Sequence, residues 1–192
     1  MDSSAQELKV YTYGDYLKFE DHARCEIIGG VIYNMSPAPR SRHQQVLWRL
    51  SNQIGNYFEG KTCQMFIAPF DVRLPKPGEK SLSATNVVQP DIVVVCDPKK
   101  IDFRGCKGVP DWIIEITSPS TAKTDRRLKF MLYEETGVKE YWIVNPEKNT
   151  LSVFIREKDG MYGSEMVFAE HQSVAPSSFP ELRVDLNRVF VK

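Results

Sequence analysis

Two runs of β-branched and aromatic residues each carry a carboxylate where a carboxylate is costly. One is Val87-Val88-Gln89-Pro90-Asp91-Ile92-Val93-Val94-Val95-Cys96; the other is Val109-Pro110-Asp111-Trp112-Ile113-Ile114-Glu115-Ile116-Thr117-Ser118. Such runs read as strands buried on both faces. Asp91 stands at the start of the apolar stretch in the first run, and Glu115 lies between isoleucines in the second. A buried charge without a partner is unfavourable, so each of these acids needs a partner or a task. The spacing leaves room for two strands joined by one loop. On neighbouring strands the two carboxylates would converge at one end of a sheet, and converging carboxylates call for a cation or a shared proton. Oxygen donors with no adjacent Cys or His suit Mg2+ or Mn2+ better than zinc.

A third component follows in the chain. Asp125, Lys129 and Tyr133 recur at i, i+4 and i+8 in the stretch Thr121 to Gly137, which reads as an amphipathic helix with Leu128, Met131 and Leu132 facing inward. Short connections bring this polar stripe towards the end of the Glu115 strand. A lysine there would orient a water or balance charge on a phosphate. The same residues also read as a solvated Asp–Lys pair on an exposed face.

The rest of the chain alternates helical and strand patterns. Thr12 is placed to cap a short helix containing Tyr13, Tyr16, Leu17 and Phe19. Two β-rich runs flank Gly29-Gly30, a two-residue hairpin signal because both turn positions accept positive φ. The SPAPR stretch (36–40) breaks that pattern. From Ser41, a candidate N-cap, to Phe58 the apolar residues Val46, Leu47, Leu50, Ile54, Tyr57 and Phe58 recur at helical spacing, and Gly60 ends the helix. Strand-like runs at Gln64 to Ala68 and Phe70 to Leu74 precede a Pro/Gly/Ser-rich loop from Pro75 to Asn86. After the long helix a strand ends at Pro146, and from Leu151 a hairpin turns at Asp159-Gly160. The predicted class is α/β (α+β), with a central mixed sheet flanked by helices, an added N-terminal hairpin and a C-terminal β-hairpin.

Composition excludes several alternatives. The apolar stretches fall far short of the roughly 18 residues of a membrane span, and the mean hydropathy is −0.36. Twenty-five basic and twenty-five acidic residues cancel, so any nucleic-acid contact must rest on local patches. Between Ile27 and Phe58 there is no acid, while Arg40, Arg42 and Arg49 are present; with Lys123, Arg126 and Arg127 they form a candidate phosphate-binding rim. The N-terminal segment, with early acids and no apolar run, is not expected to be a signal peptide, and cytoplasmic residence is expected. The cysteines at 25, 63, 96 and 106 form no CxxC pair, so four reduced thiols are expected. Trp112 and Trp142 are expected in the core.

Taken in order, Glu26-Ile27-Ile28-Gly29-Gly30, Pro90-Asp91-Ile92, Asp111 through Ser120, Asp125, Lys129, Tyr133 and Gly137 through Val144 resemble the bacterial Uma family of restriction-endonuclease-like proteins, within the PD-(D/E)XK nuclease superfamily. The likeness runs from about Thr12 to about Val167. It implies a restriction-endonuclease-like core at about 41–145, in one domain over residues 1–192, and divalent-metal-dependent hydrolysis of phosphodiester bonds in DNA. Asp91, Glu115 and Lys129 match the catalytic positions. Asp91 and Glu115, with Glu26, match the ligands of Mg2+ or Mn2+. The lysine that the superfamily carries two positions after the second acid is Thr117 here, and Lys129 on the following helix takes its place. His43, Asp125 and Tyr133 are expected to support the site or touch substrate. DNA is the expected partner, with a homodimer as a further expectation from the superfamily. Two alternatives remain open at this point: a non-catalytic nucleic-acid- or protein-binding module that keeps the fold, and a hydrolase of a smaller phosphoester.

Overall fold

The computed structural model describes residues 9–19, 25–35, 40–119 and 121–191. The predicted break at residues 36–39, the first eight residues and Ser120 lie outside them. The chain opens with α1 (Tyr13–Tyr16), whose cap is reciprocal: the Asp15 backbone N–H donates to Thr12 Oγ1 and the Thr12 N–H donates to the Asp15 carboxylate. The strands β1 (Cys25–Ile28) and β2 (Val31–Asn34) form the hairpin around Gly29-Gly30, both at positive φ. Helix α2 (Ser41–Phe58) buries Val46, Leu47, Leu50, Ile54 and Phe58. Its cap is Arg40, with no side-chain bond, and Ser41 is already helical. There follow β3 (Gln64–Ile67), β4 (Val72–Arg73), β5 (Val87–Val88), β6 (Ile92–Val95), β7 (Ile101–Asp102), β8 (Gly105–Lys107) and β9 (Trp112–Ile116). Next are α3 (Ala122–Thr124), a π-helical turn over Asp125–Lys129, and α4 (Phe130–Thr136), closed by Gly137 in the left-handed region. The chain ends with β10 (Glu140–Asn145), β11 (Thr150–Ile155), β12 (Met166–Ala169), β13 (Ser173–Val174), β14 (Val184–Asp185) and α5 (Leu186–Phe190).

The strands form two six-stranded sheets rather than one. The first has the order β2-β1-β5-β4-β8-β7, the second β12-β11-β10-β9-β6-β3; β13 and β14 pair separately. In the second sheet β9 and β10 run parallel, joined across the α3–α4 segment, and the other pairs are antiparallel. One face of this sheet (Ile92, Val94, Trp112, Ile114, Trp142) packs on α2 and α5. The other (Val93, Val95, Ile113, Tyr141, Ile143) packs on α4 and the first sheet. Trp112 and Trp142 are buried edge to face at 4.6 Å, as core residues.

Three expectations need correction. The run Val87 to Cys96 is not one strand. Pro90 has no N–H to give a ladder, and there the chain leaves β5 in the first sheet and enters β6 in the second. Gln89 and Asp91 therefore sit at the junction of the sheets. The inward face of the second long helical stretch is also different: Met131 is 50% exposed, while Asp125, Lys129, Leu132 and Tyr133 are buried. The π turn changes the helix phase, so the polar stripe faces the core and not solvent. Finally, Cys63 and Cys96, directly opposite across the β3–β6 register, form a disulfide; Cys25 and Cys106 are free and buried. Distance in sequence concealed that pairing, because only the strand register brings the two thiols together. Among the described residues no helix is long and apolar enough to cross a membrane.

Candidate functional site

The register Ile92↔Ile114, Val93↔Ile113, Val94↔Trp112 continues one step further to Asp91 and Glu115. Both acids therefore project from the same face at the same end of adjoining strands. The backbone N–H of Ile116 donates to Asp91 Oδ2 at 2.7 Å and fixes that carboxylate against β9. Glu26 enters from the first sheet. It is held by the N–H of Gln89, which donates to Glu26 Oε1 at 2.8 Å. The split at Pro90 is thus what brings acids from two sheets to one cleft.

Lys129 fills the space among them. Its Nζ lies 2.8 Å from Glu26 Oε1, 2.9 Å from Glu115 Oε1 and 3.9 Å from Asp125 Oδ1, with only 6% of its side chain exposed. The Tyr133 hydroxyl donates to the same Glu115 oxygen at 2.8 Å. His43, from the first turn of α2, faces Asp91 with Nε2 3.4 Å from Oδ2. All of Glu26, His43, Asp91, Glu115, Asp125 and Lys129 line one cleft of about 510 Å3; Tyr133 lies behind Glu115 in the core. In each of Glu26, Asp91 and Glu115 the bonds gather on a single carboxylate oxygen. Among the described residues the second oxygen takes no hydrogen bond.

The electrostatics follow from four carboxyl groups facing one ammonium. Burial pushes Glu115 well above the usual carboxylate range; Lys129 opposes that push, and Asp125, Asp91 and Glu26 add to it. Burial likewise pushes Asp125 up to about 6, again against Lys129. For Lys129 burial acts downward, but Glu115, Glu26 and Asp125 outweigh it, and the ammonium is held well above its ordinary value. Burial lowers His43, while its bond to Asp91 and the Asp91 charge raise it to a net upward shift. The buried Nδ1 of His43 has no hydrogen-bond partner among the described residues.

This charge excess has a cost that can be measured. The folded state holds the Asp125 proton more tightly than an unfolded chain does, so stability falls as pH rises from about 4 towards about 6. Asp125→Asn keeps the shape and removes the charge. It is expected to stabilise the protein at pH 7.5 by on the order of 2 kcal/mol and to have little effect at pH 4. Thermal melts at the two pH values test this, and an equal shift at both would contradict it.

Does this set suit a divalent ion? Among the described residues no three Asp, Glu, His or Cys groups converge into a ready-made metal cage. Mg2+, however, is held through one or two carboxylates, with waters and substrate phosphate completing the shell. Asp91 and Glu115, each with an oxygen free of other bonds, match that requirement.

Other predicted features lie elsewhere. The basic rim does not form as a unit. Arg42 donates to Asn149 and to the carbonyls of Phe190 and Val191, Arg49 donates to the carbonyls of Val189 and Val191, and Arg126 pairs with Glu165. These guanidiniums satisfy the carbonyls at the end of α5 and a strand hairpin, tasks that sequence spacing cannot reveal. Gln89 was missed. Its side chain also bonds Asp71 at 2.8 Å and the Tyr16 hydroxyl at 3.0 Å, tying the cleft to α1. Its position two residues before Asp91 was the available signal.

The sequence pattern of the Uma2 family, described as "Putative restriction endonuclease", matches residues 12–187. An uncharacterised protein of Synechocystis sp. is 26% identical over 149 residues, covering 76% of this chain and 74% of that protein. A crystal structure described as "a putative nuclease belonging to DUF820" from Anabaena variabilis matches with a TM-score of 0.73 at 21% identity, over 93% of this chain and 97% of that one. At that identity the likeness is one of fold.

Proposed function

The chain belongs to the Uma2 family of restriction-endonuclease-like proteins, and from that premise we propose that it is a divalent-metal-dependent nuclease that hydrolyses phosphodiester bonds of DNA. The observation that carries the reading is the buried Lys129 ammonium, held by Glu26 and Glu115 beside Asp91 in one cleft. Asp91 and Glu115, with Glu26, are the residues that would hold Mg2+ or Mn2+. When bound, such an ion neutralises charge on the scissile phosphate and lowers the pKa of an attached water.

The chain's own groups supply the rest. Lys129 has three donors, and two are directed at Glu26 and Glu115; the third is available to the attacking water or to a non-bridging phosphate oxygen. Tyr133 and the Ile116 and Gln89 N–H groups hold the carboxylates in orientation. Water adds to phosphorus, the ester oxygen leaves, and the proton released by water is taken up by that leaving oxygen or by solvent. His43 lines the same cleft beside Asp91, its Nε2 3.4 Å from Asp91 Oδ2, where it would meet the substrate.

A second reading, a binding module without the chemistry, has one observation in its favour: among the described residues no three Asp, Glu, His or Cys groups form a ready-made metal cage. Calorimetric titration of Mn2+ into the wild type and the Asp91→Ala/Glu115→Ala double variant separates the two. Binding that vanishes in the variant supports the nuclease. Binding that is equal in both proteins contradicts a metal site between these strands.

A further inference from the structure

A second concave surface lies on α2, away from the carboxylate cleft. It is a groove of about 770 Å3 between α2 and the α5 segment, lined by Trp48, Arg49, Asn52, Asn56, Arg183 and Arg188 among others. Among the described residues the lining holds three arginines and no carboxylate. Its floor is fixed. The Gln53 amide bonds the backbone of Asp185 in both directions, and Arg49 donates to the carbonyls that end α5. Arg183 and Arg188 are exposed and have no ion pair among the described residues. Trp48 is 66% exposed, whereas Trp112 and Trp142 are 1% and 0% exposed. A large indole in water beside unpaired guanidiniums serves nothing in the packing of this fold.

The groove and the cleft are both lined by residues of α2. Gln44 lines the cleft and Trp48 lines the groove, and residues four apart on a helix are surface neighbours. From Trp48 to Asn56 the helix advances about 12 Å, room for a short stretch of strand. A cationic groove with an aromatic platform is the pattern that holds an unpaired nucleic-acid strand: guanidiniums track phosphates, the indole stacks on a base, and amides contact base edges. We propose that this groove binds a single-stranded flank of the nucleic-acid substrate and leads it over the Gln44–Trp48 rim into the carboxylate cleft. This rests on the nucleic-acid reading of the cleft and says where the strand runs beyond the cut.

The test is made on the full chain with EDTA present, so that it does not depend on cleavage. Oligothymidylate titrated into the wild type is expected to quench tryptophan emission, since Trp48 is the exposed indole. Trp48→Ala removes the quenching and weakens binding about tenfold by fluorescence anisotropy of a labelled strand. Arg183→Ala/Arg188→Ala lowers affinity by a similar factor and reduces the salt-dependence slope by about 1.4, the release expected for two single-strand phosphates. Lys99→Ala/Lys158→Ala, removing two exposed cations outside the groove, leaves affinity within about twofold. Absence of quenching, equal loss in the Lys control pair, or a blunt duplex of the same length binding as tightly would each overturn the proposal. Cleavage without groove binding would leave the nuclease reading standing, and groove binding without cleavage would leave the groove standing.

Discussion

Replacing Lys129 with Met is expected to destabilise the protein by about 3–5 kcal/mol, the usual result of removing one partner from a buried charged cluster. Glu115 and Asp125 are already pushed up by burial, and Lys129 is the group that pulls both down. Without it they are left facing Glu26 and Asp91. For a chain of this length the loss corresponds to a drop in Tm of roughly 10 °C at neutral pH. Lowering the pH protonates the stranded acids, so the gap between variant and wild type should narrow as pH falls from 7.5 to 5. This pH dependence separates a charge effect from a packing defect, which would give the same deficit at both pH values. Lys129→Arg is not a rescue, because the planar guanidinium does not fit a space formed around a compact ammonium. Metal-dependent cleavage is expected to be lost in both variants.

Glu115→Gln is expected to do the opposite to stability. The amide retains an oxygen to accept from Lys129 and from Tyr133, and it removes a carboxyl that burial disfavours as an anion. The variant should melt at or slightly above the wild-type temperature. Cleavage, by contrast, should fall at least about a thousandfold, since an amide is a poor ligand for a hard cation and adds no charge to the site. A folded, stable and inactive Glu115→Gln protein beside an unstable Lys129→Met protein is the signature expected of a site in which carboxylates serve the chemistry and the lysine serves both chemistry and fold.

Much of this arrangement can be read in the chain because burial and charge conflict there. Asp91 and Glu115 stand out among β-branched residues, and nothing about a strand requires an acid at either position. The i, i+4, i+8 spacing of Asp125, Lys129 and Tyr133 likewise puts them on one stripe. What spacing does not give is the direction of that stripe. Leu128 and Met131 compete for the inward face by hydrophobicity, and the decision falls to a π turn that no local residue preference encodes. The break at Pro90 was visible as a proline in a strand-like run, but that it divides two sheets depends on tertiary pairing. The Cys63–Cys96 bond and the tethering of Arg42 and Arg49 to the end of α5 are equally non-local. Glu26 was found through the family pattern around Gly29-Gly30. Its route into the site, through the Gln89 N–H and the Lys129 ammonium, is a property of the fold.

The central claim is that the carboxylate–lysine cleft hydrolyses phosphodiester bonds with the help of a divalent ion. The most direct test is a cleavage assay on supercoiled plasmid and on single-stranded DNA, titrated with Mg2+ and with Mn2+, comparing the wild type with Glu115→Gln prepared in parallel. Nicked or shortened products are expected to rise with metal to saturation in the wild type, to vanish with EDTA and to be absent with Glu115→Gln at every metal concentration. Equal cleavage by the two proteins, or an intact substrate with the wild type across the whole metal range, would contradict it.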